Sequence, residues 1–223
     1  MAAVSTALFA GTLAREPRVP ASAGLARRKE DAGLLSPAPL LATLVQTHTP
    51  ERVPLDRAAP PQPRFDALLS DRVTGAHAAL DPRLLDLLRT LVAEFPAPDG
   101  SAPSLELVSG FRSPKLNEML RKKGHHVATH SQHSLGHAVD FRIVVPCLGT
   151  SAVSGPPGDA ACEDATAMAL DPRILERAIR ASGWAGGVGV YTSKDDWFVH
   201  ADVGPNRSWF EGPHSAEANQ SRR

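Results

Sequence analysis

The chain lacks a surplus of charge of either sign: among 223 residues, Lys plus Arg number 24 and Asp plus Glu number 24, a formal net charge of zero. A protein that lives on nucleic acid needs excess cations against phosphate, so no nucleic-acid partner is expected. Long apolar runs are also missing. None approaches the roughly 20 residues that cross a bilayer, so no membrane span is expected. Cysteine is scarce, with only Cys147 and Cys162. Their C-x14-C spacing is not that of a zinc ribbon. They bracket a stretch rich in Gly, Pro, Ser and Ala, and a disulfide closing that loop in an oxidising compartment is favoured over two unrelated thiols. Internal repeats and regular β-α-β alternation are absent too, which points away from solenoids and doubly wound sheets.

Proline and histidine stand out by contrast. Of the 20 prolines, many fall before residue 65, and five of the nine histidines (His125, His126, His130, His133 and His137) lie within 13 residues. Such a cluster is either a solvated polar loop or a source of metal ligands, for which histidine is the commonest choice. Residues 2–14 are small and apolar and resemble the core and end of a secretory signal, although the basic n-region is missing. Residues 1–40 are accordingly expected to be a signal remnant and disordered lead-in, 41–212 the folded domain, and 213–223 a disordered tail. A chain of this length is enough for one domain with a real core.

Local signals place the elements. A short strand is expected near Leu44–Thr47 and a short helix over 65–73. Asp81-Pro82 fits an N-cap with proline at the first helical position, and Leu84, Leu85, Leu88, Leu91 and Val92 recur at helical spacing, so 82–95 reads as an amphipathic helix. Ser113-Pro114 opens a second helix, stopped by Gly124, and Asp171-Pro172 a third, ending at Gly183. Strands are expected at 105–109, 137–145 and 197–203. Helices beside an antiparallel sheet make an α+β domain.

Strand alternation sorts the polar residues. In 137–145, Val139, Phe141, Ile143 and Val145 share one face while Asp140 and Arg142 share the other. In 197–203, Phe198, His200 and Asp202 share a face. If the two strands pair, Asp140 and His200 converge, because neighbouring strands lie about 4.8 Å apart. A third metal ligand is expected from the histidine-rich loop. His133 stands seven residues before Asp140, with Gly136 between them to turn the chain into the strand. Three protein ligands and an open position make a catalytic zinc site. Against this, an H-x6-D pair arises often by chance, and a lone buried histidine on a strand is usually hydrogen-bonded core. Rival pairs at helical spacing, His126 with His130 and His133 with His137, are set aside because Gly136 and the Ser/Thr content argue against a continuous helix.

At these residues the chain resembles a known family. Ser109-Gly110-Phe111-Arg112-Ser113-Pro114 with Asn117 and Leu120-Arg121 is similar to the signature SGYRSPxxNxxLR. Ser131-Gln132-His133, Gly136, Ala138 and Asp140 are similar to SxHxxGxAxD. Gly186-Gly187-Val188-Gly189, Tyr191 and Phe198 to Gly204 are similar to GGVGxY…FVHxDxG, closed by Arg207 and Trp209. These are marks of the YcbK-type (MepK-type) murein endopeptidases within the zinc D-Ala-D-Ala peptidase family. The resemblance covers roughly residues 41–212. It implies a Hedgehog/DD-peptidase-like fold, with a small antiparallel sheet flanked by helices around a single zinc held by His133, Asp140 and His200. It also implies that Arg112 binds the substrate carbonyl and stabilises the oxyanion. The implied substrate is the peptide cross-linking of peptidoglycan, cut by zinc-activated water in the periplasm or cell envelope by an exported monomer.

Relatives often carry an acidic residue or histidine two or three positions before the last ligand; here those positions are Phe198 and Trp197. Asp202, on His200's face, is the first choice for the general base, and Asp196 the second, should a bulge turn it inward. Asp202 has an alternative role, orienting a ligand imidazole. Two extra loops, one between Val145 and Ala169 and one between Tyr191 and Phe198, bear on substrate choice. Rival readings are a carboxypeptidase trimming stem peptides on the same scaffold, an inactive zinc-holding envelope protein, and a plain α+β domain with a polar histidine loop.

Overall fold

Hydrophobic alternation and helical spacing at 82–95 meet across one interface. A computed structural model of the chain describes residues 39–97, 99–123, 130–147 and 167–212. Its strands are β1 (Ala42–Gln46), β2 (Arg52–Leu55), β3 (Ser104–Ser109), β4 (Ala138–Pro146), β5 (Ala167–Ala169), β6 (Gly187–Thr192), β7 (Trp197–Asp202) and β8 (Arg207–Glu211). Four helices accompany them: α1 (Gln62–Leu68), α2 (Pro82–Glu94), α3 (Pro114–Lys122) and α4 (Pro172–Ala181). All the described elements lie in one compact unit, Pro37–Arg223. The expected signal remnant at 2–14, the tail at 213–223 and the stop at Gly124 lie outside the described residues.

The α+β class holds, but the sheet is neither small nor purely antiparallel. It has eight strands in the order β2-β1-β3-β4-β7-β6-β8, with β5 added beside β4. The β1–β3 and β6–β8 pairs run parallel, and the rest are antiparallel. A parallel pair needs a long crossover between its strands. The β1–β3 crossover contains α1 and α2.

One sheet face is apolar and packs on the helices. Leu105, Leu107, Val139, Phe141, Ile143, Val199 and Ala201 share a buried cluster with Leu84, Leu88 and Leu91 of α2 and Leu175 and Ile179 of α4. Fully burying one of these Val, Leu, Ile or Phe side chains favours the fold by roughly 1.5–3 kcal/mol relative to exposure. The helix starts follow their expected caps: Asp81 accepts from the Arg83 N–H, Ser113 from Leu116 and Asp171 from Arg173. No described helix is long and apolar enough to cross a membrane.

Between α1 and α2 the chain makes a turn around a carboxylate that the sequence does not advertise. Asp71 is buried; its Oδ1 accepts from the N–H groups of Val73 and Thr74 at 2.7 and 2.9 Å, and its Oδ2 from the Ser113 N–H at 2.6 Å. This ties the α1–α2 turn to the β3–α3 loop that carries Arg112. Burial pushes the Asp71 carboxyl up, but the Ser113 hydroxyl and the backbone donors outweigh it and hold it at about 2. A carboxyl depressed from 3.8 to about 2 adds stability of about 2 kcal/mol above pH 4, lost as pH falls through 2. Asp71→Ala is expected to lower unfolding free energy at pH 7 by on the order of 3 kcal/mol, because three backbone donors lose their acceptor. Denaturant melts at pH 7 and at pH 2 check this: the gap between variant and wild type should narrow in acid.

Candidate metal centre

The polar face of the sheet is built in rows across its strands. β4 and β7 pair so that Asp140 stands directly opposite His200, as strand alternation predicts. β3 approaches from the other side of β4 with a register shift between Leu107 and Ser109, which places Ser109 opposite Asp140. Such bulges re-aim side chains next to functional sites. Here the Ser109 hydroxyl accepts from the Arg112 Nε–H at 3.0 Å.

His133 enters from a single 3-10 turn, Gln132–Leu135. Gly136 ends that turn at φ 73°, a left-handed conformation that glycine adopts without cost. A Cβ there would also lie 2.4 Å from the Ala79 carbonyl oxygen. The loop is pinned again where the Arg112 N–H donates to the His133 carbonyl.

Three side-chain atoms meet at the centre. His133 Nε2 lies 3.1 Å from His200 Nδ1 and 3.2 Å from Asp140 Oδ1, and His200 Nδ1 lies 2.8 Å from that same oxygen. All three residues are buried, and together they form a group able to hold a metal ion. Ligands about 2.0–2.1 Å from a tetrahedral zinc lie about 3.3 Å from one another, so the triangle is close to the required size. Both imidazoles are oriented from behind. His133 Nδ1 donates to the Gly110 carbonyl at 2.7 Å, and His200 Nε2 to Asp202 Oδ2 at 3.0 Å. Each ring thus turns its other nitrogen to the centre, an arrangement of outer partners that fixes the tautomer of metal-binding histidines. The residues fit a metal.

Charge is distributed unevenly over the triad. Burial, together with the Arg112 guanidinium, pulls His133 down to about 4, so it is neutral and ready to ligate. Burial also pulls on His200, but its hydrogen bonds to Asp140 and Asp202 prevail and raise it. A metal and a proton therefore compete for this ring. Burial opposes ionisation of Asp140, yet His133 and Arg112 hold its carboxyl well below the usual range. The second Asp140 oxygen accepts from Arg112 Nη2 at 2.5 Å.

The two candidate bases separate. Asp202 is fully buried and lies on the far side of the His200 ring from the triad. Its Oδ2 also accepts from Arg207 Nη2 at 2.7 Å, and its Oδ1 from the Gly204 N–H at 2.8 Å. Asp196 is exposed in the turn between β6 and β7, its N–H donating to the Ser193 hydroxyl, and is not brought to the centre. His130 is exposed, and His126 lies outside the described residues. Cys147 is disulfide-bonded, and Cys162, the expected partner, lies outside the described residues.

Sequence reasoning missed the Gly110 carbonyl and Asp71. The first is backbone and carries no side-chain signal, and the second acts through a contact 42 residues away. It also gave Tyr191 and Trp209 no role beyond the motif.

Comparison with known proteins finds similar chains. A family described as peptidoglycan L,D-endopeptidase MepK matches residues 61–149, which include Arg112, His133 and Asp140. Peptidoglycan L,D-endopeptidase MepK of Escherichia coli K12 is 28% identical over 184 residues, 80% of this chain and 84% of the relative, and the Shigella flexneri protein of that name matches equally. The Haemophilus influenzae "Probable peptidoglycan L,D-endopeptidase MepK" is 27% identical over 146 residues, 66% of this chain but only 62% of the relative's length. No solved structure matches the chain. Motifs, family model and relatives point the same way: the chain is similar to the peptidoglycan L,D-endopeptidases named MepK.

Proposed function

We propose that this chain is a zinc metallopeptidase that hydrolyses peptide cross-links in bacterial peptidoglycan, at the L,D bonds that its relatives' names specify. The observation that carries the reading is the convergence of His133 Nε2, His200 Nδ1 and Asp140 Oδ1, with each imidazole fixed from behind. Residues 41–212 are taken as the peptidase domain, acting as a monomer on stem peptides after export to the periplasm or envelope.

What zinc supplies when bound is a coordinated water acidified towards a pKa of about 7 and a Lewis acid for the scissile carbonyl. The chain's own residues do the rest. His133, Asp140 and His200 hold the ion, and the Gly110 carbonyl and Asp202 keep the imidazoles aimed. Arg112 is steadied by Ser109 and Asp140, so its remaining N–H groups present a fixed cation to the substrate carbonyl. Asp202 is assigned to orientation, not proton abstraction, since the His200 ring stands between it and the metal position. Asp196 receives no role. The endopeptidase reading is preferred to the carboxypeptidase one because the relatives carry that name.

Purified protein incubated with defined cross-linked muropeptides, with mass-spectrometric readout, tests the proposal. Cleavage products are expected alongside one zinc per chain, lost on chelation and restored by zinc. Zinc retained without cleavage points to an envelope-binding protein. Failure to take up zinc, even when it is added back, sinks the metallopeptidase reading.

A further inference from the structure

Beside the metal centre the same sheet face carries an aromatic wall with one polar atom in it. Pairing places Gly189 opposite both His200 on β7 and Trp209 on β8, in one row with Asp140. Because Gly189 has no side chain, the Trp209 indole lies across it. A Cβ at 189 would sit 2.4 Å from indole carbons. The indole thereby comes to 5.1 Å from the His200 ring, centroid to centroid. In the next row, Tyr191 faces Phe198, and their rings stack at 4.5 Å. Trp209 joins the rows: its Nε1–H donates to the Tyr191 hydroxyl oxygen at 3.0 Å.

That bond settles which way the phenol works. An indole N–H can only donate, so Tyr191 is the acceptor and its own O–H must point elsewhere. Among the described residues no acceptor receives that hydrogen. The group is partly buried, so its O–H is left to solvent or to a ligand that enters the site. Burial, with the charges of Asp140 and Glu211, pushes Tyr191 up to about 12 against the Trp209 bond, so the phenol keeps its proton at working pH. Tyr191 lies one row along from His200 on the same sheet face, joined to it through the Trp209 indole.

We propose that Tyr191 is a catalytic residue, its O–H aimed by Trp209 to hydrogen-bond the scissile carbonyl oxygen and then, more strongly, the oxyanion of the tetrahedral intermediate. The inference rests on the peptidase reading above. No proton is transferred from the phenol: it donates a hydrogen bond throughout and is itself unchanged at the end of each turnover. A neutral donor suits this position, because Arg112 already spends its Nε and one Nη on Ser109 and Asp140. The structural alternative is a tyrosine that merely fills the wall.

Tyr191 is the only tyrosine in the chain, which makes the test direct. Zinc-loaded protein with 13C-labelled tyrosine gives one ring signal, and a phosphinate peptide mimicking the tetrahedral intermediate is expected to shift it. Tyr191→Phe is expected to lose about a hundredfold in kcat and a similar factor in phosphinate affinity, with KM, zinc content and melting temperature near wild type. Trp209→Phe, which leaves the phenol but removes its guide, should lose about tenfold in kcat. An unmoved tyrosine signal, or a Tyr191→Phe variant with full kcat and phosphinate affinity, overturns the proposal. Wild-type protein that cleaves no muropeptide would instead bring down the peptidase reading beneath it.

Discussion

His133→Ala is expected to lose bound zinc and muropeptide cleavage together, with turnover falling at least about a thousandfold. Three protein ligands hold a catalytic zinc and leave one position open, so removing one leaves a two-point site with affinity weakened by far more than the 10–100-fold of an outer-partner loss. Among the described residues no further histidine, cysteine or carboxylate joins the group to replace the missing nitrogen. The substitution also strips the Gly110 carbonyl of its donor, which by itself costs on the order of 1–3 kcal/mol. Metal analysis and muropeptide digestion on the same samples check the first effect, and denaturant unfolding in chelator isolates the second. A variant that keeps its zinc and its activity would remove His133 from the centre and reopen the choice among the loop histidines.

How far the sequence alone could go is clearest on β4 and β7. Alternation over 137–145 and 197–203 set Asp140 and His200 on one face of otherwise apolar strands, and their pairing puts them in register. The capped helices were legible for the same local reason: Asp81-Pro82, Ser113-Pro114 and Asp171-Pro172 each carry a side-chain acceptor and a preset φ. Four strands left weaker traces. β2 has a proline inside it, tolerable only because it lies at the sheet edge. β5 is three residues long, β6 reads as a glycine motif, and β8 is a short edge strand. Parallel pairing of β1 with β3, and of β6 with β8, depends on crossovers between distant segments and has no local pattern. The centre divides similarly. The side chains proposed to carry chemistry announced themselves, whereas their supports are a backbone carbonyl at Gly110, a bulge at Ser109 and a carboxylate at Asp71.

Asp202 is the residue whose two readings the sequence could not separate, because alternation puts it on His200's face under either. Its position behind His200 Nε2 predicts distinct phenotypes. Asp202→Ala should weaken zinc affinity by about 10–100-fold, the usual loss when the outer partner of a ligand histidine is removed, while kcat at saturating zinc stays within about tenfold of wild type. It should also destabilise the fold by on the order of 3 kcal/mol, since Arg207, the Gly204 N–H and the His200 Nε2–H all lose a buried acceptor. Asp202→Asn sharpens the test. If the amide nitrogen faces His200, it offers a donor to Nε2 and favours the tautomer with the proton on Nδ1, the nitrogen aimed at the metal. Zinc affinity should therefore fall with asparagine too, although its size matches aspartate. A general base behaves otherwise: its loss leaves zinc in place and removes turnover at every zinc concentration. Zinc titrations followed by kcat measured at saturation distinguish the two, and full zinc affinity with turnover abolished in Asp202→Asn would return the base to Asp202.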